Sequence, residues 1–274
     1  MDYKKYISSV SNEKTIKTYD SVFMNHLKQF TNQAGIIAPK KTKSIIEYIE
    51  NLNKSGSTKK AIYSLLINIS LNDDLKKLWR TKQEDMNKIK LKEQKKRMNN
   101  KSETLPELDE LQTYLKTLYK TEDYKAYVIN FILLNYYTRN KDLMIKIINK
   151  KADVEPNKNY LILRKGDIVY LRQDYKTFNN YGKKQYIIKS KQLHKALTAL
   201  TQENGFNFNL LDTEDDDNLT AEITKYTYKN LNESDYTKIS VSSVDINKHP
   251  DDLLKIAERR GTETSMLLST YKIR

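Results

Sequence analysis

Apolar positions recur at helical spacing through the first third of the chain. Ile16, Tyr19, Phe23, Leu27 and Phe30 fall three or four apart behind Ser11 and Asn12, which suit an N-cap, so a helix is expected over 11–32. Gly35 and Pro39 stop it. A second helix carries Ile45, Ile46, Ile49 and Leu52 on one face and breaks at Gly56. Residues 57–60 open a third, with Ile62, Leu65, Leu66 and Ile69 inward. Asn72, Asp73 and Asp74 cap a fourth that runs through Leu75, Leu78 and Trp79. Beyond Trp79 the apolar face fades, and Lys88, Lys90, Lys92, Lys95, Lys96 and Arg97 take over. A solvated helix end and a basic tether both fit that run.

The pattern restarts at Pro106. Leu108, Leu111, Leu115 and Leu118 share a helical face, with the proline near the first turn. Residues 124–137 are apolar on all sides, which reads as a buried core helix. A further apolar stretch covers 143–148. Residues 160–163 and 168–171 then flank Arg164, Lys165, Gly166 and Asp167, a hairpin pattern. Residues 175–177 and 185–188 flank a loop with Gly182, so a three-stranded antiparallel sheet is expected over roughly 160–188. Helices resume at 191–202 and, past an acidic loop at 212–217, continue to the end. The expectation is a mainly α (α+β) chain: a four-helix domain at 1–95, a basic linker at 96–105, and a mixed domain at 106–274.

Composition narrows the chemistry. Six glycines and four prolines in 274 residues favour long helices over an all-β fold. Zero cysteines exclude disulfides, thiol nucleophiles and cysteine zinc sites. No apolar run reaches the ~20 residues of a membrane span, and the first residues lack an apolar signal segment, so an intracellular location is expected. The acidic run at 212–217 has no spaced histidine and reads as a solvated loop rather than a metal site. His26, His194 and His249 read as structural or surface residues. The net charge of +14 changes the picture most, because a polyanion is the simplest partner for it.

Two stretches carry candidate chemistry. Arg139 directly follows the buried helix, where an unpaired charge is costly. It either pairs with a carboxylate such as Asp142 or offers its planar fork to phosphate oxygens. Near the end, a basic amphipathic run breaks at Gly261, and a short helical pattern delivers Tyr271 ten positions on. A phenol needs cationic neighbours before it serves as a nucleophile.

These stretches resemble the tyrosine recombinases and type IB topoisomerases. In that family an apolar helix ends in a turn and an arginine, with an acidic residue three positions later, as in residues 137–143. A lysine in a β-hairpin follows, as Lys176 does. A Gly-His turn then precedes a helix that carries the nucleophilic tyrosine at the offset seen here. The resemblance implies a helical core-binding domain and a catalytic-type domain that clamp double-stranded DNA, with homo-oligomers on the DNA. It implies tyrosine attack on a DNA phosphate, a 3′-phosphotyrosyl intermediate and strand rejoining, as in integration, site-specific recombination or relaxation, without metal or cofactor. Carried onto this chain, Tyr271 is the nucleophile, Arg139 the phosphate clamp and Lys176 the general acid. Thr262 occupies the position the family gives to histidine or tryptophan.

The family's His-x-x-Arg box is the departure. Residues 234–241 hold neither histidine nor arginine; Thr237 stands at the arginine place, and Lys238 beside it is the candidate substitute as a point charge. Lys88, Lys92, Lys95, Lys96, Arg97, Lys183, Lys184, Arg259 and Arg260 are the basic residues expected to meet DNA. Two readings stay open: an active strand transferase, and a catalytically impaired relative that only binds duplex DNA. Only three residues follow Tyr271, so no long tail is expected to exchange with a neighbouring subunit.

Overall fold

The computed structural model describes residues 2–32, 36–102, 104–213 and 218–272, with side chains throughout except at 14, 94–95 and 97–102. The chain divides into two compact units, Met1–Lys101 and Ser102–Arg274.

The first unit is helical. It contains α1 (Tyr3–Ile7), α2 (Glu13–Val22), α3 (Thr42–Asn51), α4 (Gly56–Ile69) and α5 (Asp73–Ser102). Helix α2 continues through a π-helical turn, Phe23–Leu27, and a 3-10 turn, Lys28–Phe30, so the apolar series up to Phe30 follows one winding path. The periodic residues meet in one core that includes Phe23, Leu27, Ile45, Ile49, Ile62, Leu66 and Trp79. Trp79 is fully buried and donates its indole N–H to Ser70 Oγ at 3.2 Å. Gly56 opens α4 where a Cβ would lie 2.9 Å from the amide nitrogen of Lys90, so α4 starts directly against α5. Helix α5 has 30 residues, about 45 Å at 1.5 Å per residue. It therefore runs through much of the stretch expected as a linker. Its sequence offers no glycine or proline to stop it, and lysine and glutamine propagate helix well.

The second unit is a helical body around a small mixed sheet. Its helices are α6 (Leu108–Lys120), α7 (Tyr124–Tyr136), the short α8 (Phe178–Tyr181), α9 (Lys191–Asn204), α10 (Leu219–Thr224), α11 (Glu233–Ser243), α12 (Pro250–Arg260) and α13 (Thr264–Tyr271). Its strands are β1 (Ile145–Ile148), β2 (Asn159–Leu163), β3 (Ile168–Arg172), β4 (Lys184–Ile188) and β5 (Phe208–Asn209), in the order β4-β3-β2-β1-β5. Helix α7 is apolar on all sides because α6, α9, α11 and α12 surround it.

The sheet corrects the expected three antiparallel strands. The β2-β3-β4 part is antiparallel as expected, but β1 adds parallel to β2 and β5 antiparallel to β1. Strand β1 is short and nearly wholly buried, so it lacks the alternation that marks a half-exposed strand. Strand β5 is two residues long, below any periodicity. Residues 175–177, expected as strand, form a turn before α8. Alternation within the sheet separates two layers. Ile147, Leu161, Leu163, Ile168 and Tyr170 face the main core, while Ile148, Tyr160, Ile162, Val169 and Leu171 form a second cluster. Among the described residues, no helix is long and apolar enough to cross a membrane.

Candidate active site

Gly261 closes α12 in the left-handed region, at φ 67° and ψ 59°. The Thr262 amide donates to the Ala257 carbonyl at 3.0 Å and the Gly261 amide to Glu258 at 3.1 Å, the Schellman pattern of a helix end. A Cβ at 261 would lie 2.8 Å from Thr177 Oγ1 and 3.3 Å from the Tyr175 ring. Both the conformation and the space therefore require glycine. Gly261→Ala is expected to cost about 1–3 kcal/mol, read as a lowered melting temperature of the full chain.

A helix end leaves carbonyls unpaired. Here the carbonyls of residues 258–261 are met by side chains from elsewhere in the unit, that of Glu258 in addition to its backbone bond. Lys184 Nζ donates to Glu258 and Arg172 Nη1 to Arg259. Arg139 Nη1 donates to Arg260, and Thr177 Oγ1 to Gly261, each at 2.9 Å. Three cations thus converge on the negative end of the α12 dipole. Arg172 and Lys184 lie opposite each other in the β3–β4 register, which aims both at the helix end. Burial, followed by the neighbouring Arg172, holds the Lys184 pKa below the usual lysine value.

Arg139 arrives from the other side. Tyr137 ends α7 with a left-handed φ of 52°, and Arg139 then starts a 3-10 turn, Asn140–Leu143. The Asp142 carboxylate accepts the Arg139 backbone N–H at 2.9 Å. The same carboxylate oxygen pairs with Arg172, and both side chains are fully buried. The arginine–aspartate spacing read from the sequence is therefore a backbone cap, and Asp142 spends its charge on Arg172. Among the described residues, Nη1 is the only Arg139 guanidinium nitrogen bonded within the protein. Burial, and next the nearby Arg260, hold the Arg139 pKa below the usual arginine value. A partly desolvated cation beside a like charge gains from an anionic ligand.

Tyr271 sits at the end of α13. Leu267, one turn earlier, anchors that helix in a cluster with Val241, Leu253, Ile256 and Ala257, and the Tyr271 ring packs against this cluster. The phenol oxygen accepts a hydrogen bond from Arg260 Nη2 at 2.7 Å. Arg260 is 1% exposed. Its Nη2 also donates to Glu233 Oε2 at 2.9 Å, and its Nη1 to Thr237 Oγ1 at 2.8 Å and the Tyr137 carbonyl at 2.9 Å. Burial opposes the charge on Arg260, but Glu233 and Tyr271 outweigh it and hold its pKa above the usual arginine value.

The turn at Gly261 thus gathers Arg139 and Tyr271 around Arg260, with Lys184 beside them. Lys176 is exposed on the turn just before Thr177. Thr262 lies on the closing turn, and Thr237 is buried against Arg260. Lys238 pairs with Asp235 of its own helix at 3.3 Å. Of the basic residues expected to meet DNA, Lys88, Lys92, Lys96 and Lys183 are exposed, while Lys95 and Arg97 lie outside the described side chains. Lys184 and Arg260 are buried. Arg259 lies 5.0 Å over the Tyr136 ring and donates to the Asn135 carbonyl, so these three support the interior. Arg172 and Glu233 join this cluster although neither is among the residues expected from the sequence. The signal for Arg172 was an arginine closing an otherwise apolar strand; Glu233, at the start of a helix, gave none.

No family model matches the chain, and no curated protein matches it. Among solved structures, a crystal structure of XerA recombinase aligns over 100% of this chain and 94% of that one, at 13% identity and a TM-score of 0.39.

Proposed function

We propose that the chain is a DNA-binding protein of the tyrosine-recombinase type whose second unit cuts and rejoins a strand. The observation that carries the reading is the meeting of Arg139 and Tyr271 at the Gly261 turn, with Arg139 nitrogens left over for a phosphate. Tyr271 Oη gives its proton to water and attacks the phosphorus. The bond to the 5′ oxygen breaks, and Lys176 protonates that oxygen as it leaves. The 3′-phosphotyrosyl ester then yields to attack by a 5′ hydroxyl, which rejoins the strand and releases the tyrosine. Arg139 holds a non-bridging oxygen as charge builds there. The net charge of +14 supports duplex DNA as the substrate.

The test is covalent trapping on nicked duplexes, alongside duplex binding at several salt concentrations. Arg139→Ala is expected to lower the rate of adduct formation about 100- to 1000-fold. Binding should weaken only by the loss of one phosphate contact and remain steeply salt-dependent.

A second reading is a protein that binds duplex DNA without cutting it. The pairing of Lys238 with Asp235 favours it, since the expected stand-in for the missing arginine is engaged by a carboxylate of its own helix. Tight, salt-sensitive binding with no adduct from the intact chain would select this reading.

A further inference from the structure

We infer that Arg260 is a catalytic residue of this site, the cation that readies Tyr271. The inference rests on the strand-transfer reading above. A phenol attacking a phosphodiester must carry negative charge on its oxygen before the new bond forms. A fixed donor aimed at that oxygen stabilises the charge without reorganising. Arg260 Nη2 is such a donor, 2.7 Å from Tyr271 Oη, with the guanidinium carbon 4.6 Å from the ring centroid.

The surroundings fix this arginine in place. Glu233 from α11 holds the other face of Nη2, while Thr237 and the Tyr137 carbonyl hold Nη1. Burying a guanidinium is costly unless its partners are well placed. Its Nε is nevertheless buried without a hydrogen-bond partner, so the side chain is not simply the best filling for the space. The side chain also explains the short residue at 237. Thr237 is fully buried, and the guanidinium of Arg260 lies against its hydroxyl. An arginine on α11 at 237 would project into the volume that the Arg260 side chain now fills from α12. The two positions have exchanged size: a small residue on α11 and a large cation at the end of α12. Lys238 is not needed as a substitute.

The experiment uses the full chain and a pool of random-sequence duplexes carrying 5′-bridging phosphorothiolates. The sulfur departs without a proton donor, so the adduct rate reads nucleophile activation apart from Lys176. Arg260→Leu should lower the rate about 100-fold while duplex binding holds. Arg260→Lys should retain part of the lost rate, because the charge survives but not the fork. The double variant Thr237→Arg/Arg260→Leu should recover most of it by returning the guanidinium from α11. That variant also answers the objection that Arg260→Leu only loosens the fold, as do melting curves for all three. An adduct formed by Arg260→Leu at the wild-type rate overturns this inference alone. A well-folded double variant no better than Arg260→Leu also overturns it. No adduct from the wild-type chain overturns both this inference and the strand-transfer reading.

Discussion

Tyr271→Phe should form no detectable protein–DNA adduct, a loss of at least about 1000-fold, while binding duplex DNA as the wild type does. The substitution removes one oxygen and little else. The ring packs against the cluster of Leu253, Ile256 and Leu267, and phenylalanine keeps that packing. The lost oxygen leaves one Arg260 donor without its partner, at a cost of about 1–3 kcal/mol. A domain of ordinary stability tolerates that. The variant is therefore expected to fold, bind and fail only in the covalent step. Adduct persisting in Tyr271→Phe would place the nucleophile elsewhere among the 20 tyrosines. Mapping the adduct peptide would show which one.

What was legible in the sequence follows from what each feature depends on. The helices of the first unit depend on a face of apolar side chains, and Ile45, Ile49, Ile62 and Leu66 announce that face by spacing alone. The Gly261 turn and its tyrosine depend on one left-handed residue and a fixed count, and both are written locally. Strand β1 was read only as apolar because burial on both faces erases its alternation. The pairing of Asp142 with Arg172 joins residues 30 positions apart, and the contact of Arg260 with Thr237 spans 23. Such contacts are set by how elements pack, which no local pattern encodes. This is why Thr237 reads in the sequence as a small residue with only Lys238 as a cation beside it, while the structure brings the Arg260 guanidinium to it from another helix.

Arg172→Met is expected to destabilise the second unit by about 3–5 kcal/mol, more than Gly261→Ala or Tyr271→Phe. Arg172 and Asp142 are both fully buried. Methionine matches much of the arginine's volume, so the loss comes from charge rather than from a cavity. It would leave the Asp142 carboxylate buried without its cation and the Arg259 carbonyl without its donor. Asp142 also holds the backbone amide of Arg139, so the damage should reach the site as well. Replacing both partners, as in Asp142→Leu with Arg172→Met, should recover part of the stability, because no buried charge is then left unpaired. It should not recover adduct formation, since removing Asp142 takes the cap from the turn that presents Arg139. Chemical denaturation of the single and double variants, beside the trapping assay, separates the two contributions. Equal destabilisation in both variants would mean that relieving the buried charge gains no more than the lost cap on Arg139 costs.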